Sequence, residues 1–133
     1  MNALLKFHPL PAPCQESPCT CTRYFRQKGG YEGRTGKEPD SCYSFWVGAS
    51  LHILQCFQDT DIQSTAAHLV LKCQSGAGRR CGGFSKLPGG FPDLVHAFYS
   101  LCWMSLAGYP GLNHMDAAVG VCADRLLDRD HDP

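Results

Sequence analysis

The chain has 133 residues, enough for one modest domain that buries about two-thirds of the surface its unfolded form exposes. With 44% hydrophobic and 18% charged residues it is not composed as a disordered chain, and twelve basic against twelve acidic side chains exclude the one-signed field that attracts nucleic acid or an anionic membrane surface. No apolar run approaches the roughly 18–20 residues of a membrane span, and Lys6 and Pro9 interrupt the apolar start.

Nine cysteines are an odd number, and six of them (Cys42, Cys56, Cys73, Cys81, Cys102, Cys122) are scattered through helical-looking sequence. That suits reduced, mostly buried thiols rather than a disulfide frame, and the compartment it implies is the cytoplasm. Residues 1–22 hold Pro9, Pro11, Pro13 and Pro18 with Cys14, Cys19 and Cys21 and show no helical or strand period, so a disordered proline- and cysteine-rich tail is expected. The three cysteines match no zinc-finger spacing. The organised domain is expected over 23–133.

A glycine-rich loop, Gly29 to Lys37, leads to Pro39-Asp40, where Asp40 is placed to cap a helix. Phe45, Trp46, Ala49, Ile53 and Phe57 follow at helical spacing, with Leu51 and Leu54 widening the apolar side, which predicts a helix to Phe57. Asp59 or Asp61 would cap a second helix from about Ile62 to Gln74, striped by Ala66, Leu69, Val70 and Cys73. After a second glycine-rich loop the pattern predicts a third helix from about Asp93 to Leu106 and a fourth from about His114 to Leu127.

The loops repeat. Gly29-Gly30-Tyr31 recurs as Gly82-Gly83-Phe84 and Pro39-Asp40 as Pro92-Asp93, both at an offset of 53 residues. One helical hairpin cannot cover its own apolar side, so the units are expected to stack. Superposing them sets Asp40 on Asp93 and places Cys42 and His96 just inside equivalent helices. Asp40, Cys42 and His96 then make a mixed oxygen, sulfur and nitrogen set, the pattern of a zinc ion with one open position. Such a zinc can hold an incoming thiol as thiolate. Arg34, Lys37, Tyr43 and Lys86 lie around it and are the groups that neutralise a leaving diphosphate. Phe45, Trp46, Phe98 and Tyr99 could wall an apolar cavity.

Singly, each residue has a plainer reading. Asp40 reads as a cap, Cys42 as a small core residue and His96 as a satisfied core imidazole. Arg34, Lys37 and Lys86 read as solvated loop charges, and Phe45 and Trp46 as core. Asp93 is either only the cap of the third helix or also a partner of the metal site.

Together, Gly33-Arg34-x-x-Lys37-x-x-Asp40-x-Cys42-Tyr43-Ser44-Phe45-Trp46, Gly82-Gly83-Phe84 and Pro92-Asp93-x-x-His96 resemble the C-terminal part of protein prenyltransferase beta subunits, over about residues 24–127. The resemblance implies an all-α fold, an α/α toroid of helical hairpins, here incomplete at about two repeats, paired with a prenyltransferase alpha subunit. It implies one Zn2+ held by Asp40, Cys42 and His96, and diphosphate contacts from Arg34, Lys37 and Tyr43. Lys37, Tyr43 and Lys86 would act in catalysis, and Arg34, Lys37, Tyr43, Trp46 and Lys86 in substrate binding. Ser44 to Ala49 and Pro92 to Ala97 look most like the geranylgeranyltransferase type I member. Lys86 replaces an aspartate of the farnesyl and Rab enzymes, which implies that magnesium is not required. The implied reaction moves geranylgeranyl from its diphosphate to the cysteine of C-terminal CaaX proteins such as small GTPases. Family beta subunits are longer than this chain, so a non-catalytic fragment that binds the alpha subunit or CaaX tails is the alternative.

Overall fold

The computed structural model describes residues 29–75 and 82–127. The expected tail over 1–22, its cysteines and Cys81 lie outside the described residues.

Asp40 has extended backbone angles and its Oδ1 accepts from the Cys42 amide at 3.0 Å, which starts helix α1, Ser41–Ile53. The chain then turns through a short 3-10 segment, Phe57–Asp59, into α2, Ile62–Ala67, whose first turn is capped by Asp61 accepting from the Ser64 amide at 2.9 Å. α3 spans Leu94–Leu106 behind its own cap, Asp93, and α4 is a single turn, Asp124–Leu127. Isolated antiparallel bridges pair Gln74 with Phe84, Ser85 with Pro92 and Met115 with Cys122.

The 53-residue offset holds in three dimensions. α1 and α3 have the same length and begin and end in register. Gly30 and Gly83 both sit in the left-handed region, at φ +117° and +118°, which a side chain rarely adopts. The Asp40 amide donates to Tyr31 O at 3.0 Å and the Asp93 amide to Phe84 O at 3.2 Å. After the helices, the Cys56 amide reaches Leu51 O at 2.8 Å and the Tyr109 amide reaches Met104 O at 2.9 Å. The sequence repeat is a structural repeat.

Three helix extents differ from expectation. α1 stops at Ile53 because Gln55 takes φ 59°, and Phe57 turns back into the core at 4% exposure. The segment after α2 widens into a π-type turn, His68–Cys73, in which the Gln74 amide donates to Leu69 O five residues back. The side chains follow the same spacing, with Cys73 Sγ 3.4 Å from His68 Nε2. The expected fourth helix from His114 is confined to Asp124–Leu127. Asp116 instead accepts from the Ala118 and Val119 amides, Gly120 takes φ 70°, and the Asp116 amide donates to Val121 O at 2.8 Å, closing a loop where a helix was expected.

The core sits where α1 crosses α3. Trp103 is fully buried there, lying against Gly48 so closely that a Cβ on Gly48 would come within 2.5 Å of Trp103 Cδ1. Burying an aromatic of this size is worth roughly 3 kcal/mol. Part of that is offset, because the Trp103 indole nitrogen is buried with no hydrogen-bond partner among the described residues. Phe45, Ala49, Leu51 and Phe57 of the expected α1 stripe are buried, whereas Trp46, Ile53 and Leu54 are 49%, 57% and 57% exposed. The sequence predicts one wide apolar face, and only part of it is covered.

Candidate functional site

Two helix starts are tied together by the second loop. The Ser41 amide donates to Lys86 O at 3.0 Å and Ser41 Oγ to Ser85 O at 2.8 Å, so the loop carrying Lys86 is fastened to the first turn of α1. This brings Lys86 Nζ to 3.5 Å from Asp40 Oδ2. At the start of α3, Asp93 acts twice. Its Oδ1 accepts from the His96 amide at 2.9 Å, and its Oδ2 lies 2.6 Å from the imidazole Nδ1. Nδ1 is thereby engaged, and Nε2 lies 3.6 Å from Asp40 Oδ1. Asp93 thus caps α3 and also holds the His96 ring.

Asp40, Cys42 and His96 each offer one donor atom, all within 4.8 Å of one another. Four-coordinate zinc sets neighbouring O, N and S ligands roughly 3.4–3.7 Å apart, so small side-chain rotations would complete the set. Asp40 is buried, at 6% exposure, while Cys42 and His96 are partly exposed. Burial pushes the Cys42 thiol up to about 12, helped by its hydrogen bond to Asp40 and by that residue's negative charge, with the Lys86 charge opposing. A divalent cation among these atoms would reverse the balance and take the place of the thiol proton. Asp93 is held below the usual carboxylate range, first by the His96 amide and then by the imidazole. The donor chemistry, the buried carboxylate and the oriented imidazole fit zinc.

Beside Asp40 opens a cavity of about 560 Å3 lined by Gly33, Arg34, Lys37, Glu38, Asp40, Tyr43, Lys86 and Leu87. Its cationic side comes from both repeats, Arg34 and Lys37 from the first loop and Lys86 from the second. The first loop turns tightly, with the Lys37 amide donating to Arg34 O at 3.1 Å and the Gly36 amide to Glu32 Oε2 at 3.0 Å. A Cβ on Gly33 would sit 2.2 Å from Tyr43 Cζ, so this glycine is what lets the phenol lie over the loop at the cavity edge.

The structure thus gathers Arg34, Lys37, Tyr43 and Lys86 around one cavity that Asp40 also lines, and Cys42 and His96 lie beside Asp40 outside that lining. Trp46 lies outside the cavity lining. It packs on Tyr99 at 4.7 Å between ring centroids, in a run of contacts that also takes in Phe45 and Phe98. The motif includes Gly33, but its contact with Tyr43 has no local signal in the sequence. Sequence reasoning also missed Ser41 and Ser85, which join the loops.

The same architecture is found in known proteins. The profile of the prenyltransferase alpha-alpha toroid domain matches residues 19–121. This chain belongs to the prenyltransferase alpha-alpha toroid family. Among curated members, it is similar to the geranylgeranyl transferase type-1 subunit beta of Arabidopsis thaliana, at 37% identity over 102 residues, covering 76% of this chain and 26% of the relative. It is 36% identical over 90 residues to the protein of the same name from Dictyostelium discoideum, covering 68% and 24%. The chain also superposes on Candida albicans protein geranylgeranyltransferase-I complexed with GGPP, with a TM-score of 0.68, 26% identity, and 78% of this chain but 29% of that one covered. The chain spans about a quarter of the length of these curated relatives. Among the described residues no helix is long and apolar enough to cross a membrane.

Proposed function

We propose that the chain is the zinc-site and diphosphate-site portion of a protein geranylgeranyltransferase type I beta subunit. The observation that carries this reading is the junction of the two repeats, where a three-donor set meets a cavity lined by two lysines, an arginine and a phenol. Asp40, Cys42 and His96 would hold one Zn2+, which when bound supplies the positive charge that keeps a substrate thiol ionised at neutral pH. Arg34, Lys37, Tyr43 and Lys86 would bind the diphosphate. In the transfer, the thiolate sulfur of a CaaX cysteine forms a bond to C1 of the geranylgeranyl group as the C1–O bond breaks. The electron pair leaves on the diphosphate, where the three cations and the phenol receive it. Lys86 fills the place of a metal counter-charge, so magnesium is not needed. Trp46 lies on the apolar side of α1 and would face lipid. The enzyme would work in the cytoplasm with a prenyltransferase alpha subunit.

Two observations favour a second reading for the 133-residue chain by itself: it spans about a quarter of its curated relatives, and α3 leaves large apolar side chains uncovered. A non-catalytic fragment could keep the zinc site and bind the alpha subunit or CaaX tails. Co-expression with an alpha subunit separates the two, using labelled geranylgeranyl diphosphate and a leucine-ending CaaX peptide, with and without magnesium, alongside zinc analysis. Turnover that persists without magnesium and is lost in Lys86→Ala supports the enzyme. Stoichiometric zinc and alpha-subunit binding without turnover supports the fragment, and absence of zinc overturns both.

A further inference from the structure

The loop that carries Lys86 is held from two sides. Its root is Ser85, 2% exposed, whose amide donates to Cys73 O at 2.9 Å and whose hydroxyl donates to Leu87 O at 2.7 Å. On its flank is Ser41, fully buried, which grips two successive carbonyls. The Ser41 amide donates to Lys86 O at 3.0 Å and Ser41 Oγ to Ser85 O at 2.8 Å. These two carbonyls stand on either side of the Lys86 Cα. A single bond would leave the backbone free to swivel about it, whereas two fix both flanking peptide planes and hence the direction in which the Lys86 side chain leaves.

The Ser41 hydroxyl is not spent on starting the helix. α1 is capped by Asp40, whose Oδ1 takes the Cys42 amide at 3.0 Å. α3 starts equally well behind Asp93 with Leu94, which has no hydroxyl, at the position equivalent to Ser41. The 53-residue offset likewise turns Lys86 into Gly33. The gripping hydroxyl and the lysine it steers are therefore features of this one junction and not of the repeated scaffold.

What the grip directs is a charge. Lys86 Nζ lies 3.5 Å from Asp40 Oδ2, and Lys86 lines the cavity opposite Arg34 and Lys37 of the first loop. Its side chain is a flexible four-carbon stem, 61% exposed, so the ammonium stays on this cavity only as well as its Cα is aimed. Ser41 is not itself among the residues that line the cavity. We propose that Ser41 is a positioning residue for the anion site: its hydroxyl aims Lys86 so that the ammonium acts on a diphosphate together with Arg34 and Lys37. The proposal rests on the reading of the cavity as a diphosphate site and adds to it a residue that never touches the anion.

The test titrates inorganic pyrophosphate into the full 133-residue chain by calorimetry at low ionic strength, with a neutral zinc chelator present so that no metal competes for the probe. Lys86→Ala should weaken binding about tenfold. Ser41→Ala should weaken it about three- to fivefold while circular dichroism shows native helix content. Combined with Lys86→Ala, Ser41→Ala should cost nothing further, because the hydroxyl acts through that side chain. Combined with Arg34→Ala it should keep its full effect, because Arg34 hangs from the other loop. Ser41→Cys, which keeps the volume and weakens the donor, carries the same cycle if Ser41→Ala loses helix. A Ser41 effect that persists without Lys86 marks a general loosening of the chain and overturns the positioning role, as does native affinity in Ser41→Ala. If the native chain does not bind pyrophosphate, or Lys86→Ala binds it as tightly as the native chain, the diphosphate reading of the cavity falls and takes the proposal with it.

Discussion

The two repeats have nearly the same backbone and almost nothing else in common. α1 and α3 begin behind an aspartate, run for the same length and end in the same turn, yet Asp40 is buried and offers a donor atom to the candidate metal set, while Asp93 is exposed and orients the histidine that offers another. Halfway along, Gly48 disappears under Trp103 while its counterpart Leu101 faces outward. A duplicated scaffold supplies matched positions, and neighbours decide which of each pair acts on the ligand and which supports it.

The largest difference should appear between the two aspartates. Asp40→Ala removes a donor and should abolish stoichiometric zinc binding, whereas Asp93→Asn, which leaves the donor set intact, should weaken it by about 10–100-fold. Chelator competition measures both, and equal losses would erase the distinction between ligand and support. The pH dependence of binding sharpens the same point. Because burial pushes the free Cys42 thiol up to about 12, zinc must displace its proton throughout the neutral range, so affinity should rise roughly tenfold per pH unit there. A flat profile would put the sulfur outside the set.

Gly48 and Leu101 make the second contrast. In an exposed helix Gly→Ala stabilises, but at Gly48 the added methyl would meet Trp103, so Gly48→Ala should destabilise by about 2 kcal/mol. Leu101→Ala should change stability by about 0.5 kcal/mol or less. Urea denaturation compares them directly, and a stabilised Gly48→Ala would mean that the contact between α1 and α3 is looser than it looks.

A third contrast lies in His68, which belongs to the first repeat alone. Its pKa is lowered by burial, with the Lys72 charge adding and Asp40 partly opposing, and its Nδ1 has no partner among the described residues. The folded state therefore binds this proton less readily than the unfolded chain. Stability is full above the unfolded value of 6.5 and falls as pH drops below it, by at most about 1.4 kcal/mol per pH unit. His68→Gln should flatten that slope in thermal melts recorded between neutral and mildly acid pH.

Much of this was legible in the residues. The 53-residue offset and the caps Asp40 and Asp93 follow from local chemistry repeated at a fixed spacing, and these survive folding because they depend on neighbours a few residues away; the grouping of Asp40, Cys42 and His96 came from superposing the two units, whose helix starts meet in space. The end of α1 was less legible: Phe57 fits the helical period, but the period does not record that Gln55 reverses the backbone. The loop at 114–123 hid for a related reason, since Asp116 reads as a helix former's neighbour until its carboxylate captures the amides of Ala118 and Val119.

By itself, then, the amino-acid sequence determined the repeat, the helix starts and the identity of the donor and cationic residues, because each rests on contacts within one loop and the first turn after it. Only the tertiary structure decided that Asp93 turns the His96 ring toward Asp40, that Gly33 makes room for Tyr43, and that α3 is buried over Cys102–Leu106 while Leu94, Val95 and Phe98 stay exposed. Those outcomes depend on which atoms of distant segments meet, and periodicity gives the direction of a side chain without naming what waits there.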